Sequence, residues 1–350
     1  MKMMLLQRSF FIFFLISLTL IFPQNAYAQG QSFEDRLPAE IKKSDDAFLT
    51  LTSENDNYGS GADQDYTNGI RMTYFKRGMR SPFLVNLADK YIPTFEVNET
   101  TSVSYSVGQN LYTPQDTQAA IPNPSDRPYA AFLYGSASFS TLSDNHIDDV
   151  ELTLGIVGPA ALGEQTQRTV HHFLGVNEPQ GWDYQLENEP GLIVSWQRQW
   201  PEAYATDIDA FRFRVMPHIG ATLGNVYTYG SSGLTLQLTP KQFQWQGQPS
   251  RVRPAMPGNG FFAVQDNKFA WSLFAGVEGR AIGRNIFLDG NSFEDSPSVD
   301  KKYGVADASA GVSLTYGRTQ ISYTLNWRSR EFEGQDDPSI FGAISIGRRF

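Results

Sequence analysis

Segment after segment of this chain alternates apolar with polar or small residues at a period of two, and turn residues separate the segments. Residues 47–52 set Leu49 and Leu51 on one face with threonines between. Residues 68–74, 150–156, 211–215, 269–277, 310–316 and 320–327 repeat the pattern. Further candidates lie at 101–109, 129–139, 191–200, 227–238 and 339–350. Roughly a dozen half-buried strands, each about ten residues long, are the signature of a transmembrane β-barrel.

The N-terminus states the destination. Lys2 and Arg8 flank an uncharged run over 9–22 that ends near Ala26-Tyr27-Ala28. A positive start, a short apolar stretch and an A-x-A site make a secretory signal peptide, here residues 1–28 with cleavage after Ala28. The run is too short for a comfortable membrane-spanning helix, which needs about 20 residues. Residues 29–350 then form one barrel domain. The chain has no cysteine, so disulfides do not brace it in an oxidising compartment. Its formal charge of −9 argues against a nucleic-acid partner.

The last candidate strand ends on an aromatic residue, Phe350. That resembles the closing strand by which bacterial outer-membrane barrels are recognised for assembly, and a barrel needs its closing strand at the terminus. An even strand number puts both termini in the periplasm, with the longer loops outside. A barrel of this size is expected to be filled by side chains and not left as a water channel. One segment breaks the pattern. Residues 163–175 carry Val170, Phe173 and Leu174 at helical spacing and stop at Gly175, which predicts a short helix in an extracellular loop.

Candidate chemistry gathers at two places. Ser53-Glu54-Asn55-Asp56-Asn57-Tyr58 and the nearby Asp65-Tyr66-Thr67-Asn68-Gly69 hold more oxygen-bearing side chains than a turn requires. Carboxylates and amides of this kind suit a hard cation such as Ca²⁺, although the loop lacks EF-hand spacing. The predicted helix carries His171 and His172, which point about 100° apart, so at most one faces a given site. Histidine is the side chain best suited to deprotonate water near neutral pH. His146 and His218 read as ordinary loop or barrel residues. No serine stands in a nucleophile-elbow context, which leaves activated water as the simpler nucleophile.

Several motifs, in order along nearly the whole mature chain, resemble the outer-membrane lipid A 3′-O-deacylases (the LpxR-like group). They are Asn55-Asp56, Asp65-Tyr66-Thr67-Asn68-Gly69, Asp126-Arg127-Pro128-Tyr129, Gly158-Pro159, His171 ahead of Gly175, and Gly181-Trp182-Asp183-Tyr184. The resemblance implies an all-β fold, a twelve-stranded antiparallel transmembrane barrel, with its site between the barrel wall and the loop helix. It implies hydrolysis of the ester that holds the 3′-linked acyl chain of lipid A, with lipopolysaccharide as partner and the bacterial outer membrane as location. A monomer is the expected state. By the same matching His171 is the base, Asp56 holds Ca²⁺ as oxyanion stabiliser, and Asn55 and Thr67 orient groups at the site. An outer-membrane phospholipase of the same architecture and a non-catalytic transport barrel are the alternatives. Parity places Asn55 on the outward row with Leu49, Leu51 and Ser53 if the first strand runs unbroken, and Asp56 on the other face.

Overall fold

A computed structural model describes residues 47–59, 65–76, 90, 98, 100–143, 145–241, 251–252 and 269–350, with the backbone alone at 65–67 and 174. The expected signal peptide lies outside the described residues. Thirteen strands are hydrogen-bonded in one antiparallel sheet: β1 (Ala47–Asn55), β2 (Asp65–Lys76), β3 (Ser102–Thr113), β4 (Ala130–Leu142), β5 (Ile147–Val157), β6 (Glu189–Gln199), β7 (Tyr204–Ile208), β8 (Phe211–Gly224), β9 (Tyr227–Pro240), β10 (Phe269–Asn285), β11 (Gly304–Tyr316), β12 (Thr319–Arg328) and β13 (Ser339–Arg349).

Each strand except β6 pairs with the next in sequence, β1 pairs with β13, and β6 pairs with β8, which closes the cylinder. β6 and β7 face successive stretches of β8 and act as one interrupted strand, so the barrel has twelve. The interruption at 200–203 lies opposite Pro217, which has no N–H to give a neighbour. There the chain bulges, and Trp200 N–H bonds to the Pro217 carbonyl at 3.0 Å.

The wall is inverted relative to a soluble sheet. Thr50, Thr52, Ser104, Ser106 and Ser136 face the lumen and are buried, while Leu49, Leu51, Ile70, Met72, Val107 and Leu325 are exposed on the outside. No helix among the described residues is long and apolar enough to cross a membrane; the strands do it. Closure pairs wall N–H and C=O groups within the sheet without water, and the outward rows meet lipid.

The lumen is packed. Arg71 is buried and bonds to Glu151 at 2.5 Å, with Ser106 at 3.1 Å completing its shell. Arg280 and Arg328 bracket Asp307 at 2.8 and 3.0 Å. His218 reaches Glu278 at 3.1 Å across Gly233, where a Cβ would sit 2.5 Å from the imidazole. His218, read as an ordinary barrel residue, is a buried hydrogen-bond partner of Glu278.

Side chains do not fill the lumen alone. Residues 251–252, from the connection between β9 and β10, enter it: Val252 N–H donates to Glu54 Oε1 at 3.1 Å and its carbonyl accepts from Tyr134 at 3.0 Å. Beside them Arg251 bonds to Asn326 at 2.8 Å. A short helix, α2 (Ile286–Asp289; α1 is described below), sets Phe287 against Tyr112 at 4.1 Å and helps to fill the mouth.

The start of β1 and the end of β13 lie at one end, as an even strand number requires. The longest connection between strands, 158–188, lies at the opposite end.

Removing one partner of a buried ion pair leaves an uncompensated charge and costs about 3–5 kcal/mol. Arg71→Leu should therefore lower barrel stability by that order in urea unfolding, and Arg71→Leu combined with Glu151→Leu should recover most of it. Equal losses in the single and double variants would mean that the charge pair is not what holds this part of the lumen.

Candidate functional site

β1 runs without a register shift against both neighbours up to Asn55. Asn55 therefore continues the outward row of Leu49, Leu51 and Ser53, as parity predicted, and its register partner on β2 is Asn68. Directly after it the chain turns through a 3-10 segment, Asp56–Tyr58, capped by the Asn55 side chain, which accepts from Asn57 N–H at 2.8 Å. Asp56 is buried and its Oδ1 also accepts from Asn57 N–H at 2.8 Å.

The turn is held against the outside of the wall. Tyr323 donates its hydroxyl to the Tyr58 carbonyl at 2.7 Å, and Gly342 leaves the room that Tyr58 fills, since a Cβ there would lie 2.6 Å from the tyrosine Cβ. The oxygen cluster read from sequence is thus divided: Glu54 turns inward to hold residue 252, and Asn55 turns out. Thr67 lies in β2 between Asp65 and Asn68, where the register with β3 shifts.

The second half of the site is the connection from β5 to β6. It opens with a 3-10 turn, Pro159–Ala161, and continues as α1 (Gly163–Leu174). This connection lies on the outside of the wall. Tyr105 and Val107 fix the outward parity of β3, and on the same row Gln109 and Leu111 are buried. They are covered because Gln109 Nε2 donates to the Ala161 carbonyl at 2.6 Å, and Leu111 packs with Tyr129, Ala131, Ala161 and Trp182. Gly163 lets α1 come down on the wall; a side chain there would collide with Ala131 Cβ and would stand 2.7 Å from the Trp182 ring.

On α1 the two histidines separate as their 100° offset requires. His171 is buried and His172 exposed. Gly175 adopts a left-handed φ of 69°, which suits glycine, and the returning chain brings the Asn177 carbonyl 2.5 Å from His171 Nδ1. A carbonyl can only accept, so Nδ1 carries the proton and Nε2 presents the lone pair.

One turn earlier stands Gln167, which sequence reasoning missed. It is buried and its Oε1 accepts from Trp182 Nε1 at 2.8 Å. An indole nitrogen only donates, so the amide orientation is fixed, and Gln167 Nε2 is buried without a partner among the described residues. The i, i+4 spacing to His171 was the available signal, since such residues share a helix face.

Trp182 thus anchors α1. Arg127 is buried in the mouth, 3.8 Å from Glu331 and over the Tyr112 ring. Burial alone would push the Glu331 carboxyl up, but Arg328, Arg127 and Arg280 outweigh it and hold it below the usual carboxylate range.

The halves share one face of the wall. Asn55 pairs with Asn68, Asn68 with Leu111, and Leu111 belongs to the cluster beneath α1, which packs on β3 and β4. Two strand spacings, about 10 Å, separate β1 from β3. The structure therefore puts Asn55 on the outer face at one barrel end, and the helix that carries His171 and Gln167 lies over neighbouring strands of the same face.

A sequence profile of the family described as outer membrane protein LpxR matches residues 11–350. The chain belongs to the LpxR family. LpxR from Salmonella typhimurium has the same fold, with a TM-score of 0.70 at 22% identity over 86% of this chain and 99% of that one. The β domain of the Bordetella autotransporter BrkA is more distant, with a TM-score of 0.40 at 9% identity over 88% and 99% of the two chains. No curated protein matches in sequence. This LpxR-family barrel is a bacterial outer-membrane protein.

Gly163→Val tests how α1 is seated. The added bulk should lift the helix, so that its amides lose hydrogen-exchange protection while those of the barrel strands keep theirs. Unchanged protection in α1 would show that the Gly163 contact does not seat it.

Proposed function

We propose that this protein is an outer-membrane esterase that removes the 3′-O-linked acyl (acyloxyacyl) chain of lipid A. The observation that carries the reading is the imidazole of His171, buried, fixed as the Nδ1–H tautomer by the Asn177 carbonyl, and so offering Nε2 as a base. In this reading Nε2 takes a proton from water as the water oxygen bonds to the acyl carbon. The same proton passes to the sugar oxygen when the ester bond breaks. The Gln167 Nε2–H group donates to the acyl carbonyl oxygen as negative charge grows there, and Trp182 keeps the amide turned that way. Asn55 and Thr67 orient the substrate from the β1–β2 side.

A metal belongs to this proposal as well. Among the described residues no three His, Cys, Asp or Glu side chains converge on a common point. The donors near Asp56 still fit Ca²⁺ in kind, being hard oxygens: one carboxylate, with amide and main-chain oxygens to complete a shell. Bound Ca²⁺ supplies positive charge that offsets the oxyanion. A single carboxylate implies weak affinity, in the range of about 10⁻⁴–10⁻³ M known for low-charge sites.

The location supports a lipid substrate. The site opens on the outer face of the wall, so an acyl chain can reach it laterally from the leaflet. A transport barrel needs a passage, whereas here residues 251–252, the ionic clusters and the mouth aromatics occupy the lumen.

Mass spectrometry of lipid A from cells expressing the protein should show loss of a 3′-linked acyloxyacyl group, and His171→Ala should abolish that loss while the barrel keeps its heat-modifiable mobility. Gln167→Ala should lower the rate about 10²–10³-fold if its amide serves the oxyanion. EDTA should suppress the wild-type reaction, and excess Ca²⁺ should partly restore Asp56→Ala. Unchanged lipid A with lysophospholipid accumulating would favour the phospholipase reading. Full activity in His171→Ala would remove the proposed base.

A further inference from the structure

α1 carries its polarity the wrong way round for a helix beside water. The face against the wall buries Gln167 and His171, while Leu162 (50% exposed), Val170 (40%) and Phe173 (87%) lie open. These three are spaced eight and three residues apart. At 100° per residue Val170 and Phe173 lie 60° apart on one flank of the helix, between the wall-facing side and the far side, and Leu162 is exposed just before its first turn. The far side is polar: Gln165, Arg168 and His172 are all exposed there, and Arg168 is paired with Glu164 at 3.0 Å. Val176, just past the helix, adds another exposed apolar residue (51%).

A helix with a wall-facing polar side, an apolar flank and a solvated polar side has the pattern of a helix lying in the plane of a membrane interface. The barrel below it follows the same inside-out rule, with its lumen polar and its outer rows apolar. Because α1 sits on the outside of β3 and β4, its apolar flank continues the lipid-facing band formed by Tyr105, Val107 and Leu154. We infer that the Val170–Phe173 flank of α1 is a membrane-docking surface, seated among the acyl chains of the outer leaflet. Phe173 is its deepest residue. Docking puts the His171 face of α1 at the hydrocarbon boundary, and α1 is then held from two sides, by Trp182 on the wall and by lipid on its flank.

The chain has no cysteine, so a single introduced cysteine carries a unique fluorophore. The full barrel is refolded into phosphatidylcholine vesicles as Phe173→Cys, Val170→Cys or Arg168→Cys and labelled with an environment-sensitive dye. Folding is checked by heat-modifiable mobility. Dyes at 173 and 170 should be quenched by acyl-brominated lipid and protected from aqueous iodide, and the dye at 168 should show the reverse. Iodide reaching 173 and 170 as readily as 168, or brominated lipid quenching all three alike, would overturn the inference. The readout is independent of any enzymatic activity, so it stands or fails separately from the esterase reading.

Discussion

In hydrocarbon a backbone N–H or C=O has no water to fall back on, and everything else in this molecule follows from that requirement. Only a closed sheet or a helix satisfies it, and the described helices are too short to span. Once the sheet is closed, polarity is dictated side by side along each strand: what faces out meets lipid, and what faces in must find partners within the lumen. The buried pairs Arg71–Glu151 and Arg328–Asp307 and the bond from Val252 to Glu54 are the inward consequences. The outward consequence is that polar side chains cannot stand on the wall unless something covers them. Gln109 stands there because the Ala161 turn does.

The site grows from the same constraint. A catalytic group buried in the packed lumen would be cut off from a lipid substrate, and one on an uncovered wall would sit in hydrocarbon. The β5–β6 connection resolves this by folding down over β3 and β4, so that His171 and Gln167 are sheltered between helix and wall. Orientation then comes from donors and acceptors that admit one arrangement only. The Asn177 carbonyl sets the histidine tautomer, and the indole of Trp182 sets the glutamine amide. In the proposed mechanism each is a fixed group holding a reactive one, which keeps reorganisation small when charge develops.

Much of this was legible in the sequence because period two and period 3.6 are local signals. The strands, the helix over 163–175, the opposite fates of His171 and His172 and the outward parity of Asn55 all follow from counting residues along one element. What was not legible depends on contacts between distant segments. Glu54 looked like one more oxygen of the Asn55–Asp56 cluster; its partner is nearly two hundred residues away, on a segment that enters the lumen. His218 looked unremarkable because Glu278 lies two strands over, across Gly233. The break between β6 and β7 does carry a local mark, Pro201, but that the two pieces share one partner strand shows only in their pairing with β8. Gln167 had a local signal, its spacing from His171, but its significance rests on Trp182, fifteen residues on.

The central claim is that the reaction takes place on the outer face of the wall, reached from the leaflet and not from the lumen. A photo-crosslinking benzoylphenylalanine at Ser53, on the outward row two residues before Asn55, tests it in intact cells. The account predicts a covalent adduct with lipopolysaccharide at that position. No adduct at Ser53, in a variant that still deacylates lipid A, would contradict it.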